Sequence, residues 1–404
     1  MTRDGTNDVK RRRVFYIPGY DPIPPRRYRE LYREHGARQA QVSRYALDLG
    51  PRRGDGPFGW HVSATIEDRQ VETDIEVMVW SDLVRDSMER GILATYVQML
   101  RTAWIYIASG ALFRLARLRK GPVIAALYPV VFLVGQLLVA LALARVAGWG
   151  LGLLHPFAAW AGLLVVPPVL AGFRRIDNRL FAYYLMHDYA YSAQFKGANP
   201  PALEARLATF TDRIAAALAE DIDEVLVVGH SSGAHLAVSV LSDLLRAGHG
   251  PGARRPALGL LTLGQVVPMV SFLPDARRLR ADLRYLSESE ALAWVDVTAP
   301  GDGCAFALCD PVAVTGVATA QQRWPLVISA AFSETLSPPE WRRLRRRFFR
   351  LHFQYLCAFD RPRDYDYFRI TAGPRTLAAR FAGRAPSPSR LRRPVSGYRD
   401  TGAG

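Results

Sequence analysis

The stretch EVLVVGHSSGAHLAVSVLSDLL, Glu224 to Leu245, decides how the rest of the chain is read. Its first five residues, Glu224 to Val228, are a β-branched apolar run of the kind that forms a buried strand. From Ala234 onward the apolar residues Leu236, Val240 and Leu244 recur at helical spacing. Between the two lies Gly229-His230-Ser231-Ser232-Gly233, a G-x-S-x-G pattern, so the order is strand, sharp turn, helix. Gly229 and Gly233 let the backbone turn without a Cβ clash, which lifts the Ser231 hydroxyl above the sheet edge. Free amides at the start of the helix favour negative charge developing there. A glycine-rich turn without catalysis is the plainer alternative.

Further strands are predicted at Val14 to Ile17, ending in the turn Pro18-Gly19, and at Ile75 to Trp80. Leu258 to Leu263 and Ala293 to Thr298 read the same way, and Pro201 to Ala219 reads as a helix. Strands separated by helices imply a mainly parallel sheet covered on both faces, the α/β class.

Two apolar runs interrupt this alternation. Val123 to Ala144 holds 22 residues without a charge, and as a helix it spans about 33 Å against a hydrocarbon core of about 30 Å. Val146 to Phe173 also lacks formal charge, with a short Gly/Trp-rich link around Arg145 to Gly152. Arg114, Arg117, Arg119 and Lys120 precede the first run, and Arg174, Arg175 and Arg179 follow the second. The positive-inside rule therefore puts both outer ends in the cytoplasm. The shorter apolar segment Thr102 to Phe113 suits the membrane interface better than a span. A pair of buried helices in a soluble fold is the competing view.

The strand-elbow-helix unit resembles the serine esterase and lipase-like members of the α/β-hydrolase superfamily. The likeness covers residues 13–19 and 224–245 most specifically, and 290–360 loosely. It implies that Ser231 is the nucleophile and that the Ser232 amide is one oxyanion donor. The second donor comes from the loop after an earlier strand, here the Tyr20 amide, with Gly19 permitting the approach. This chain reads Ile17-Pro18-Gly19-Tyr20, with proline where the family often has histidine. The family order of nucleophile, acid, histidine leaves His235, His249 and His352 as candidates for the base. His235 lies on the elbow helix and His249 in the turn beyond it, so His352 is favoured by elimination. For the acid, Asp302 follows the strand Ala293 to Thr298 in a Pro/Gly turn and is preferred over Asp296 and Asp310. A structural or turn-forming role is the alternative for each. The aromatic cluster Phe181 to Tyr191 reads as core or interface packing, and the Arg-rich stretch 341–350 as one basic amphipathic helix on a solvated or membrane-facing surface.

The whole is expected to be an α/β-hydrolase fold with an inserted transmembrane helical hairpin. Residues 1–12 form a basic tail, 13–101 and 181–384 the two parts of the core, and 102–180 the membrane-associated insertion, with runs at about 123–144 and 151–173. Residues 385–404, rich in Pro, Ser and Arg, are expected to be disordered. With 50% hydrophobic and 22% charged residues the chain as a whole is not disordered. Three cysteines exclude a disulfide framework and do not match a zinc site, and no metal or cofactor is expected. The N-terminus has no apolar signal-peptide core. A net charge of +15 suits nucleic acid or an anionic membrane. No nucleic-acid-binding motif accompanies it, so nucleic acid is not expected as a partner. The expected function is a multi-pass protein of the cytoplasmic membrane whose catalytic domain faces the cytoplasm. It would cleave an ester, thioester or amide of a small acyl substrate, with location favouring acyl lipids. A silent scaffold binding a lipid or membrane partner, or an acyltransferase with the same residues, are the other readings.

Overall fold

In the computed structural model, residues 8–53, 56–250 and 256–402 are described. Eight strands form one mixed sheet: β1 (Arg11–Ile17), β2 (Ala46–Pro51), β3 (Gly59–Ile66), β4 (Arg69–Val77), β5 (Glu224–His230), β6 (Ala257–Leu263), β7 (Ala293–Thr298) and β8 (Leu326–Ser329). Their order is β2-β3-β4-β1-β5-β6-β7-β8. Every neighbouring pair from β4 through β8 is parallel, and only β2–β3 and β3–β4 are antiparallel. The period-2 alternation divides the core in two. Phe15, Ile17, Val225 and Val227 pack into one cluster, while Val14, Tyr16, Leu226 and Val228 pack into the cluster on the opposite face. All seven β5 residues are buried, as expected of a central strand covered on both faces.

Five expectations are corrected, the last of them the position of the hairpin link. The predicted strand Ile75 to Trp80 is the end of a longer one, and Met78 to Trp80 lie beyond it. There Trp80 turns inward, and its indole N–H donates to the Pro18 carbonyl at 2.9 Å. Residues 8–12 are not all tail, because β1 begins at Arg11 and Arg12 is buried. Its guanidinium meets Glu224 at 2.6 Å and also donates to the Gly373 and Arg375 carbonyls, so the buried charge is satisfied. Residues 1–7 lie outside the described residues.

The segment from Ala385 to Gly402 is held in the fold. Its backbone amides at Ser387, Leu391 and Val395 donate to the Val327, Leu308 and Val314 carbonyls, and Val395 is buried. Composition alone misses a tail held by backbone bonds and a few anchoring side chains. The basic stretch 341–350 is likewise two short helices, Pro338–Leu344 and Phe348–His352, rather than one.

Between β4 and β5 the chain leaves the sheet for a helical insertion. A 17-residue helix, Ile92–Ala108, precedes an apolar helix of 33 residues, Lys120–Gly152. The chain turns at Leu153 to His155, later than the expected link, and returns as a 3₁₀ segment, Pro156–Val165, and a helix, Val166–Arg175. The two arms touch closely at Gly148 and Gly162. A Cβ on Gly162 would lie 2.3 Å from the Ala144 carbonyl oxygen and 2.6 Å from the Gly148 Cα, so only glycine allows this crossing. By length and apolarity each arm is able to cross a membrane. Large apolar side chains face outward along both, among them Val131, Leu138, Trp149, Leu154, Phe157 and Trp160.

Candidate active site

Ser231 follows the C-terminal end of β5, and the elbow helix, Gly233–Arg246, leads away from it. Its φ of +57° is a conformation that L residues rarely adopt. Close backbone approach explains the flanking glycines. A Cβ on Gly233 would sit 2.1 Å from the Ile17 carbonyl oxygen, and one on Gly229 would sit 2.6 Å from the Gly233 oxygen. The β1 loop lies directly against Ser231, since a Cβ on Gly19 would be 2.9 Å from the Ser231 Cβ and 3.3 Å from its Oγ. This loop is fastened at both ends, by Trp80 on the Pro18 carbonyl and by the Tyr184 hydroxyl on the Tyr20 carbonyl. Tyr20 and Ser232 line the same cavity as Ser231, and neither backbone amide donates to a protein acceptor among the described residues.

Asp302 and His352 are brought together across 50 residues of sequence. His352 Nδ1 meets Asp302 Oδ2 at 2.8 Å, and both side chains are buried. Two further donors hold the carboxylate, the Tyr355 hydroxyl at 3.0 Å on Oδ2 and the Cys304 amide at 2.9 Å on Oδ1. Burial opposes ionisation of Asp302. It is outweighed by His352, the Cys304 amide and the Tyr355 hydroxyl, which hold the carboxyl below the usual carboxylate range. His352 and Ser231 line one cavity but make no hydrogen bond to each other among the described residues. Catalytic contacts of this kind often tighten only when substrate binds.

The candidates not favoured lie in other settings. Asp296 accepts a hydrogen bond from Thr262 at 2.6 Å inside the sheet, and burial pushes its carboxyl up to about 8. Asp310 caps the short helix Pro311–Thr315 through the Val312 and Ala313 amides. His235 is buried on the elbow helix, where desolvation pulls its pKa down to about 4, and His249 lies exposed in the following turn.

Three residues of the site escaped the sequence reading. His230, inside the motif itself, donates from Nε2 to the His352 carbonyl at 3.0 Å, which fixes its tautomer. Burial, and then His352, pull its pKa down to about 3, so it stays neutral. Tyr355 bridges Asp302 and the Ala299 amide. Asp188 comes from the aromatic cluster read as packing, on the helix Ala182–Ala193, and faces the cavity without a hydrogen-bond partner among the described residues. Burial pushes its carboxyl up to about 7 against the pull of His352. No local signal singles out any of the three: His230 and Tyr355 act through partners distant in sequence, and only the packing of another element brings Asp188 to the cavity.

Asp302, Cys304 and His352 offer ligand atoms within 4.8 Å of one another. Two of those atoms already bond each other, and burial pushes the Cys304 thiol well up, which opposes the thiolate a metal needs. The cavity over Ser231 measures about 460 Å³. Its lining includes His230, Ser231, Ser232 and His352, together with Pro122, Ala125 and Tyr128 of the long apolar helix. No protein-family model, curated protein or solved structure matches this chain.

Proposed function

We propose that this chain is a membrane-anchored serine hydrolase of the α/β-hydrolase type that cleaves an acyl ester, thioester or amide. The observation that carries the reading is the pairing of a buried, carboxylate-held histidine with a serine in strained backbone geometry, both on one cavity. His352 takes the Ser231 proton as Oγ attacks the acyl carbonyl, and Asp302 orients the imidazole and stabilises its cation. The Ser232 and Tyr20 amides receive the oxyanion. When the tetrahedral adduct collapses, the bond to the leaving group breaks and His352 returns its proton to that group. Water then attacks the acyl-enzyme and gives a proton to His352; as that adduct collapses, the bond to Oγ breaks and His352 returns the proton to Oγ, releasing the acid and free Ser231.

Two features support a membrane location. Both arms of the insertion are long and apolar enough to span, and they carry outward-facing apolar side chains along their length. Arginines and Lys120 flank the outer ends of the pair, which orients the sheet domain to the cytoplasm. The active-site cavity shares a wall with the first of these helices, so substrates that partition into a bilayer reach Ser231 directly. A fluorophosphonate probe tests the core of the reading. Wild-type protein is expected to be labelled and Ser231→Ala is not; equal labelling of both would falsify it.

A further inference from the structure

The cavity over Ser231 is also lined by Arg179, Arg346, Arg347 and Arg350. Most arginines elsewhere in the sheet domain are paired: Arg12 with Glu224, Arg206 with Asp82, Arg213 with Glu76, Arg246 with Asp282. The four at the cavity have no carboxylate or other side-chain hydrogen-bond partner among the described residues. All four are exposed to solvent, and like charges gathered around one cavity create a positive potential that attracts an anion. Guanidinium groups suit phosphate and carboxylate oxygens, which they bind in a forked geometry. Two carboxyl groups line the same cavity, and neither neutralises the four. Asp21 is taken by the Ile23 amide, the Tyr28 hydroxyl and Arg27, and Asp188 sits among Tyr184, Tyr189 and Ser192 with its carboxyl pushed up toward neutrality by burial.

The same cavity is also lined by Pro122, Ala125, Tyr128, Val266 and Met269, a largely apolar set. One cavity thus holds an acyl-accepting nucleophile, an apolar wall continuous with a membrane-type helix, and a set of unpaired cations. Resting on the hydrolase reading, we infer that the substrate is an anionic acyl lipid whose phosphate or carboxylate head group is held by Arg179, Arg346, Arg347 and Arg350 while its chain lies against the apolar helix. The ester carbon then lies between the two, at Ser231. Cleavage transfers the acyl group to Oγ, and the head-group alcohol departs with the proton from His352. Water completes the cycle to give the free acid.

The test uses full-length protein in a neutral detergent, which removes anionic membrane as a source of attraction. An ether-linked alkylglycerol phosphate, which cannot be cleaved, competes with a fluorophosphonate for Ser231. The neutral alkylglycerol of the same chain length, and glycerol phosphate without a chain, serve as comparisons. The phosphate lipid is expected to halve the labelling rate at a concentration at least about tenfold below either comparison compound. In Arg346→Gln/Arg350→Gln the phosphate lipid and the neutral lipid should converge. Equal protection by the two lipids in the wild type overturns the anionic-head-group inference while labelling itself upholds the hydrolase. Equal protection by glycerol phosphate and the phosphate lipid means that the ligand is a soluble phosphate ester and overturns the lipid part. If Ser231 is not labelled at all, the hydrolase reading fails and the inference with it.

Discussion

Asp302 receives hydrogen bonds from a histidine, a tyrosine and a backbone amide, so its charge is stabilised in a place where burial alone would neutralise it. Removing that charge leaves His352 without its orienting partner. On the proposed hydrolase mechanism, Asp302→Asn is expected to lower kcat by about 10⁴, as loss of a triad carboxylate does, with the fold retained by circular dichroism. Tyr355→Phe deletes one charge-assisted bond and should reduce kcat by about tenfold. Asp310→Ala should behave differently, because Asp310 caps a helix and does not reach His352. Turnover is expected to persist while the melting temperature falls by a few degrees, reflecting about 1 kcal/mol of lost capping. If Asp310→Ala is inactive yet folded, the acid has been misassigned.

Elements succeed here where small residues or satisfied charges allow close approach. The arms of the insertion cross at Gly148 and Gly162, where the backbones leave no room for a methyl group. Gly162→Val is expected to pry the arms apart, seen as faster proteolysis within 153–155 and a lower melting temperature in detergent. In the sheet, Arg12 on β1 and Glu224 on β5 form a buried pair that also satisfies the segment 373–377 through Gly373, Arg375 and Leu377. Arg12→Ala leaves Glu224 buried and unpaired, a loss of about 3–5 kcal/mol that equilibrium denaturation should register.

Across the whole molecule, among the described residues, five buried or half-buried aspartates, Asp188, Asp282, Asp296, Asp310 and Asp366, are shifted upward and couple stability to pH in the direction opposite to an ion-paired acid. Asp296 and Asp188 have folded pKa values raised to about 8 and about 7. The unfolded chain releases these protons near pH 4, so it binds fewer protons than the fold between pH 4 and 8. Their contribution is full below about pH 4 and is lost as pH rises toward 8. Asp296→Asn keeps an acceptor for Thr262 without the titration. Its stability relative to wild type is expected to rise steadily between pH 5 and 8; a constant difference would show that Asp296 ionises normally. Alkaline carbonate extraction examines the molecule at the same scale: the full chain should stay in the membrane pellet. Recovery as a soluble monomer would make the insertion a cap over the active site and remove the membrane location.

Local order determined much of this protein. The strands β1 and β5, the elbow, its glycines and the two apolar arms are each specified by neighbours within a few residues, through side-chain period, turn chemistry and run length. Within the order of nucleophile, acid and histidine that the hydrolase resemblance implies, elimination also pointed to His352 and Asp302, because few histidines follow the elbow and Asp302 sits in a turn after a strand. Tertiary structure alone decided what those residues touch. The approach of Gly19 to Ser231, the hold of Tyr355 on Asp302 and of His230 on His352, and the exposure of Asp188 to the cavity all join elements far apart in sequence. Strands β2, β3 and β8 were missed for a related reason. His61 on β3 is buried because Glu72 and Asp74 of β4 bond both its ring nitrogens, while β2 and β8 are edge strands held by one neighbour each. A polar side chain reads as surface until the partner that satisfies it is in place, and only the folded sheet supplies that partner.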